Sequence, residues 1–223
     1  MNDKLYFSEY FNPNFFKYKI DWLEFRLYGI GGSDSSCVIG LNPWKSNREL
    51  WVEKVNKVYE EIEDNDAMEY GREAEELIRG LFVLRNKNKF EMNYIPLTIL
   101  NNNEYPFLMY SPDGLIYEIE TGKCGIWECK TGKGNREKWD NGKMPDNYFI
   151  QCLHGLIVSG YDFVILTAEL EYVDKDGQPY YLTKDYRIDR ENVVDDLEYL
   201  KGKEIEFWES VEHNIEPKLL LTL

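Results

Sequence analysis

A mixed β-sheet flanked by helices, in an α/β or α+β arrangement, is the fold class that the sequence predicts. Hydrophobic periodicity changes from helical to strand-like and back along the chain, and glycine, proline and aspartate punctuate the changes. Neither an internal repeat nor a Pro/Gly/Ser linker divides the 223 residues, which are enough for one substantial core. One domain over 1–223 is therefore expected, with its core at about 21–190 and a C-terminal helix at about 192–211.

An aromatic-rich entry at 5–18 reads as core or subunit contact, followed by a short helix at 21–27. Gly29-Ile30-Gly31-Gly32 breaks that helix, and Ser33 or Asp34 can cap a second one running toward Ile39. After a turn at Asn42-Pro43-Trp44, Ser46 and Glu49 have capping-box spacing and open a helix through Leu50, Trp51, Val55 and Val58. Beyond an acidic stretch at 60–66, Ala74, Leu77, Ile78, Leu81 and Phe82 recur with helical spacing, so 71–82 is an amphipathic helix.

Strand-like runs follow at 107–110, 115–119 and 125–131, with turns at Pro112-Asp113-Gly114 and Thr121-Gly122. A helix at 146–159, closed by Gly160, separates them from a hairpin of 163–172 and 180–188 that turns at Asp176-Gly177. The last helix runs from about 192 to 211.

Composition excludes several function classes. No apolar run approaches the ~20 residues of a membrane helix, and the amino terminus has no signal-like apolar segment, so a cytoplasmic protein with no membrane partner is expected. Cys37, Cys124, Cys129 and Cys152 are too irregularly spaced for a disulfide framework or zinc knuckles and read as free, mostly buried thiols. With only His154 and His213, a His-rich metal site or a Ser/His/Asp triad is hard to build, and His154 reads as structural. Catalysis must then rest on carboxylates and lysine. The net charge of −15 argues against a polyanion as ligand, but Lys130, Lys133, Arg136, Lys138 and Lys143 cluster locally.

The chemistry gathers at two short segments. In a strand over 125–131, Ile126, Glu128 and Lys130 share one face, and Trp127, Cys129 and Thr131 the other. Asp113 sits at a turn between neighbouring strands, from which a hairpin can bring its carboxylate beside Glu128. Two hard oxygen ligands with a lysine and no histidine suit Mg²⁺ or Mn²⁺ better than zinc. An exposed Glu/Lys pair on an edge strand is the plainer reading of the same residues. Glu75 lies at the border of the apolar stripe and Glu76 points to solvent. Taken alone, Glu75 reads best as an i,i+4 surface pair with Arg79.

Five blocks occur in one order: Arg26 with Ser33 seven residues later, Gly71-x-x-x-Glu75-x-x-x-Arg79, Ser111-Pro112-Asp113-Gly114, Glu128-Cys129-Lys130, and Tyr148-x-x-Gln151. Together they resemble the YqaJ-like viral recombinase and phage lambda exonuclease family of PD-(D/E)XK nucleases, over most of 21–160. The resemblance implies a restriction-endonuclease-like core and a Mg²⁺-dependent 5′-to-3′ double-strand DNA exonuclease that leaves 3′ overhangs for recombination. It implies Glu75, Asp113, Glu128 and the backbone carbonyl of Cys129 as metal ligands, and Lys130 and Gln151 as catalytic residues placing the attacking water. Arg26 and Ser33 would hold the 5′-phosphate.

Tyr148 shares a helix face with Gln151 and reads equally as substrate contact or packing, and Gly155 beyond them as room for substrate. Double-stranded DNA ends, a single-strand annealing protein, a homotrimer and a phage or prophage origin also come with the resemblance. A restriction-type endonuclease of the same fold and a non-catalytic DNA-binding or assembly module are the alternatives. An end-binding pocket argues against the first, and the complete set of Asp113, Glu128 and Lys130 against the second.

Overall fold

A computed structural model describes residues 8–58, 65–140 and 142–220. Strand β1 (Phe11–Phe15), helices α1 (Lys19–Phe25), α2 (Gly32–Val38), α3 (Asn47–Asn56) and α4 (Asp66–Asn86), and strands β2 (Phe90–Asn93) and β3 (Thr98–Asn102) occupy the first half. Strands β4 (Met109–Tyr110), β5 (Gly114–Glu118) and β6 (Cys124–Lys133) precede helices α5 (Arg136–Trp139) and α6 (Asp146–Ser159). Strands β7 (Phe163–Val173) and β8 (Pro179–Asp189) and helix α7 (Val194–Glu212) follow.

Five strands form a mixed sheet in the order β2-β5-β6-β7-β8, and β1-β3-β4 form a second, smaller sheet. Within the larger sheet only the β6–β7 pair is parallel, because α6 carries the chain back between them; the other pairs are antiparallel. Alternation along each strand then decides what each face buries. Ile126, Val164 and Leu166 join α6 residues such as Leu153 and Leu156 on one side. Trp127, Ile116 and Ile165 meet Ala74, Ile78 and Phe82 of α4 on the other. Fully burying a valine, leucine, isoleucine or phenylalanine side chain in these layers contributes roughly 1.5–3 kcal/mol. The mixed sheet flanked by helices is thus the expected fold class. No helix among the described residues is long and apolar enough to cross a membrane.

Local signals placed several elements well. Ser46 Oγ accepts from the Glu49 backbone and Glu49 returns a carboxylate to the Ser46 N–H, the reciprocal cap that opens α3. Gly160 closes α6 at φ 68°, a left-handed position that glycine adopts without strain. Val58 lies beyond α3, and 60–64 of the acidic stretch at 60–66 are outside the described residues.

Other expectations are corrected. The entry contains β1, and the short helix begins earlier, at Lys19, and passes into a 3₁₀ turn at Arg26–Tyr28. Gly31, rather than Ser33 or Asp34, is the N-cap of α2; Asp34, three residues on, takes the Gly31 N–H at 3.1 Å. The run at 107–110 yields only the two-residue β4, which pairs with β3 in the small sheet instead of flanking the Asp113 hairpin. Strands β2 and β3 were not foreseen at all. Gly155 leaves room for protein rather than substrate, since a Cβ there would lie 2.9 Å from Tyr110 Cζ and 3.0 Å from Ile126 Cδ1.

Candidate active site

The antiparallel register of β5 and β6 builds the centre of the site. Gly114 pairs with Trp127, so Asp113 stands one step further, opposite Glu128. Its Oδ2 accepts the Cys129 N–H at 2.9 Å, which extends the ladder with a side chain and fixes the carboxylate beside β6. Glu128 and Lys130 project on the α6 side, as strand alternation requires. Glu128 is only 1% exposed, and its Oε1 accepts both Lys130 Nζ at 2.5 Å and Gln151 Nε2 at 2.5 Å. Tyr110 donates its hydroxyl to Oε2.

Glu75 approaches from α4, where it is half-buried while Glu76 is exposed, as the helical stripe indicates. Its carboxylate pairs with Arg79 at 3.2 Å, so the i,i+4 pair is present. That pair is not a surface decoration, because Arg79 also donates to the Asp113 carbonyl at 3.0 Å and its guanidinium lies 3.5 Å from the centre of the Tyr94 ring. Arg79 thereby ties the helix to the Asp113 turn.

The electrostatics are those of crowded, poorly solvated charge. Burial first, and then the Glu128 charge, push the Asp113 carboxyl well above the usual carboxylate range. Burial also raises Glu75, against Arg79 and with Glu128. For Lys130, burial alone would favour the neutral amine, but the charges of Glu128 and Asp113 outweigh it and raise the pKa, so the ammonium persists. The three carboxylates are hard oxygen donors of the type that Mg²⁺ or Mn²⁺ prefers. With Glu75 on Arg79 and Glu128 on Lys130, Gln151 and Tyr110, no group of three or more His, Cys, Asp or Glu side chains among the described residues is arranged to hold a metal ion.

A second group of residues opens onto the same cavity, which Trp22, Arg26, Gly31 and Ser33 line together with Asp113, Glu128, Lys130 and Gln151. Arg26 Nη2 donates to Ser33 Oγ at 3.3 Å, and its guanidinium rests 4.6 Å from the Trp22 ring centre. The support beneath is an ion pair. Lys54, 2% exposed in its side chain, bonds Asp34 Oδ2 at 2.9 Å and the carbonyl of Arg26 at 3.0 Å. Burial would raise Asp34, but Lys54 and then Arg26 overcome it and hold its carboxyl below the usual range.

Removing one partner of such a buried pair commonly costs about 3–5 kcal/mol. Lys54→Ala is expected to lose that much at pH 7 in urea unfolding. A carboxyl with a lowered folded pKa stabilises above its unfolded value of ~3.9, and that contribution disappears as pH falls through the folded value. The gap between wild type and Lys54→Ala should therefore narrow on acidification to pH 3; a gap that stays constant would show that Asp34 is not the group being lost.

Tyr148 lies beside the centre, its ring 5.5 Å from Lys130 Nζ and 5.7 Å from the Trp139 ring, so it both packs and faces the site. His154 is structural: fully buried, with Nδ1 against Glu204 at 2.6 Å and Nε2 against the Met109 carbonyl at 2.8 Å. The four cysteines are free, and Cys37, Cys129 and Cys152 are buried. Among the members of the basic cluster at 130–143 whose side chains are described, Lys130 lines the cleft, Lys133 reaches Glu171 at 3.4 Å, and Lys138 and Lys143 are exposed elsewhere. The cleft also draws cations from distant segments, Lys19, Arg26 and Arg72, with Trp22 and Trp44 on its walls. Of these, Arg26 was expected at the site; sequence reading missed Lys19, Trp22, Trp44, Arg72 and Tyr110, because nothing in their local pattern distinguishes them from ordinary surface or core positions.

The family model for the YqaJ-like viral recombinase domain matches residues 21–162. A protein of Bacillus subtilis (strain 168), YqaJ, is 31% identical over 194 residues, 84% of this chain and 54% of the relative. The chain thus spans about half the length of that curated relative. Among solved structures, the alkaline exonuclease LHK-Exo from Laribacter hongkongensis gives a TM-score of 0.65 at 20% identity, over 89% of this chain and 95% of that one. The same exonuclease in complex with dAMP gives 0.64 at 19%, over the same shares. A phage related exonuclease from Haemophilus somnus 129PT gives 0.51 at 15%, over 84% of this chain and 96% of the other. At these identities the solved structures show a shared fold.

Proposed function

Since the chain belongs to the YqaJ-like viral recombinase family, we propose that it is a single-domain, Mg²⁺-dependent exonuclease that degrades double-stranded DNA from a 5′ end and leaves a 3′ overhang. The observation that carries this reading is the shared cavity: the Arg26–Ser33 pair and the Asp113–Glu128–Lys130 group line one cleft. An anion held at one end is thereby within the same enclosure as a carboxylate and ammonium cluster suited to phosphodiester chemistry. LHK-Exo, which has the same fold, is an exonuclease and has been seen with dAMP.

Glu75, Asp113, Glu128 and the carbonyl of Cys129 would hold the cation, competing with Arg79 for Glu75 and with Lys130 for Glu128. The raised pKa values of Asp113 and Glu75 fit this role, since a nearby divalent charge offsets the burial and repulsion that cause them. Bound there, Mg²⁺ or Mn²⁺ would lower the pKa of a water and neutralise charge at the scissile phosphate. Lys130, kept charged, donates to a nonbridging oxygen rather than acting as a base. Gln151, already anchored on Glu128, orients the attacking water through its amide. Arg26 holds the terminal 5′-phosphate with a permanently charged guanidinium, Ser33 adds a hydroxyl donor, and Tyr148 contacts the nucleotide beside Lys130.

Incubation with linear and circular duplex, with Mg²⁺ or with chelator, tests the reading: loss of linear DNA alone, and only with metal, supports it, whereas nicking of circles would select an endonuclease. A homotrimer around the duplex and a single-strand annealing partner extend the proposal through the family resemblance, and sedimentation of the chain with and without such a partner checks both.

The helical border position of Glu75 gives a controlled comparison. Glu75→Gln is expected to slow turnover by about tenfold or more, equivalent to ~1.4 kcal/mol of barrier, while Glu76→Gln stays close to wild type. Equal, small effects would remove Glu75 from the cation site and leave it as a partner of Arg79.

A further inference from the structure

Tyr110 occupies a position that the proposed chemistry does not yet use. It is 1% exposed and belongs to β4 of the small sheet, yet its hydroxyl reaches across to Glu128 Oε2 on the large one. Its ring is confined on two sides by glycines. A Cβ at Gly32 would stand 3.0 Å from Tyr110 Cε2, and one at Gly155 would stand 2.9 Å from its Cζ. The strand that bears it is pinned in turn, because buried His154 bonds the carbonyl of Met109 at 2.8 Å.

The two oxygens of Glu128 consequently have different partners. Oε1 faces Lys130 and Gln151, both of which line the cleft. Oε2 meets Tyr110. A carboxylate free to rotate about its last torsion would exchange those oxygens and smear the position of the one presented to the cleft. A hydroxyl on a rigid, close-packed ring in the wall of that cavity removes that freedom while leaving Oε1 to Lys130 and Gln151.

We propose that Tyr110 is a positioning residue, which clamps Oε2 of Glu128 so that Oε1 is presented in one orientation to the cation and water side of the cleft. The proposal rests on the nuclease reading for its rate consequences but not for its effect on cation affinity. Partners that orient metal-binding side chains commonly matter by about 10–100-fold in affinity or activity. Tyr110→Phe, which keeps the ring, should therefore weaken Mn²⁺ binding, followed by electron paramagnetic resonance, by about tenfold and lower kcat by a similar factor. KM for duplex DNA and the preference for a 5′-phosphate end should stay within twofold, because Arg26 and Ser33 are untouched.

Gly155→Ala is the second variant, since it shifts the ring by steric contact while leaving every hydrogen-bonding group in place, and it should weaken Mn²⁺ binding in the same direction. Mn²⁺ affinity and kcat within twofold of wild type in folded Tyr110→Phe overturn the proposal. If Tyr110→Phe does not fold, unchanged Mn²⁺ affinity in Gly155→Ala overturns it instead. If wild type binds Mn²⁺ but releases no nucleotides from DNA, the nuclease reading fails, and the Mn²⁺ comparison still decides the role of Tyr110.

Discussion

Linear duplex DNA is expected to survive incubation with Asp113→Ala, Glu128→Ala or Lys130→Ala protein under conditions in which wild type consumes it. Each substitution removes charge at the reacting centre rather than core volume. Loss of one contact that stabilises charge in the transition state costs roughly 10²–10³ in rate. Of the three, Glu128 carries the most connections, because its removal leaves Lys130, Gln151 and Tyr110 without their common acceptor. Glu128→Gln keeps the shape and serves as the milder partner. Circular dichroism and thermal melting, run beside the rate measurements, separate a lost reaction from a lost fold. A folded variant with near-normal turnover would take its residue out of the site.

The second large effect concerns which end of the DNA is used. Duplex bearing a 5′-phosphate is expected to be degraded about tenfold faster than the same duplex with a 5′-hydroxyl, the equivalent of ~1.4 kcal/mol. Arg26→Ala should erase most of that ratio without weakening Mn²⁺ binding. The structure moves the weight of this expectation onto Arg26. Ser33 is not the cap of α2, and a seven-residue helix brings only a modest dipole, so the guanidinium bridged to Ser33 Oγ is the main source of positive charge. Initial rates on both substrates for both proteins decide the matter. Equal treatment of the two ends by wild type would discard the end-binding pocket and favour internal cleavage.

Much of the fold was legible because the signals involved are local. The capping box at Ser46, the left-handed Gly160 and the Ala74, Ile78 and Phe82 part of the expected apolar stripe each depend on residues within a turn or two of one another, whereas Leu77 and Leu81 of that stripe are exposed. Strands β2 and β3 carry no comparable signal. Phe90-Glu91-Met92-Asn93 and Thr98-Ile99-Leu100-Asn101-Asn102 are short and partly polar, and they become strands because β5 in one case and β1 and β4 in the other supply the pairing. Lys54 illustrates the same limit at the site. Within α3 it resembles any exposed helical lysine, and it is buried only because Asp34 and the Arg26 carbonyl arrive from other elements.

By itself the sequence determined which residues share a face and where the chain turns. Glu128 and Lys130 had to lie together on one side of β6, Asp113 had to end a turn, and Glu75 had to sit at the edge of an apolar stripe. Those relations follow from a strand period of two, a helix period of 3.6 and the conformations that glycine and proline impose. The tertiary structure alone decided which partners meet those residues: Tyr110 on Glu128, Arg79 between Glu75 and the Asp113 carbonyl, Lys54 beneath Arg26, and Lys19 and Arg72 beside Lys130 at the cleft. Such pairings join residues far apart in the chain, and packing selects among many locally equivalent side chains, so short-range pattern carries no trace of the choice.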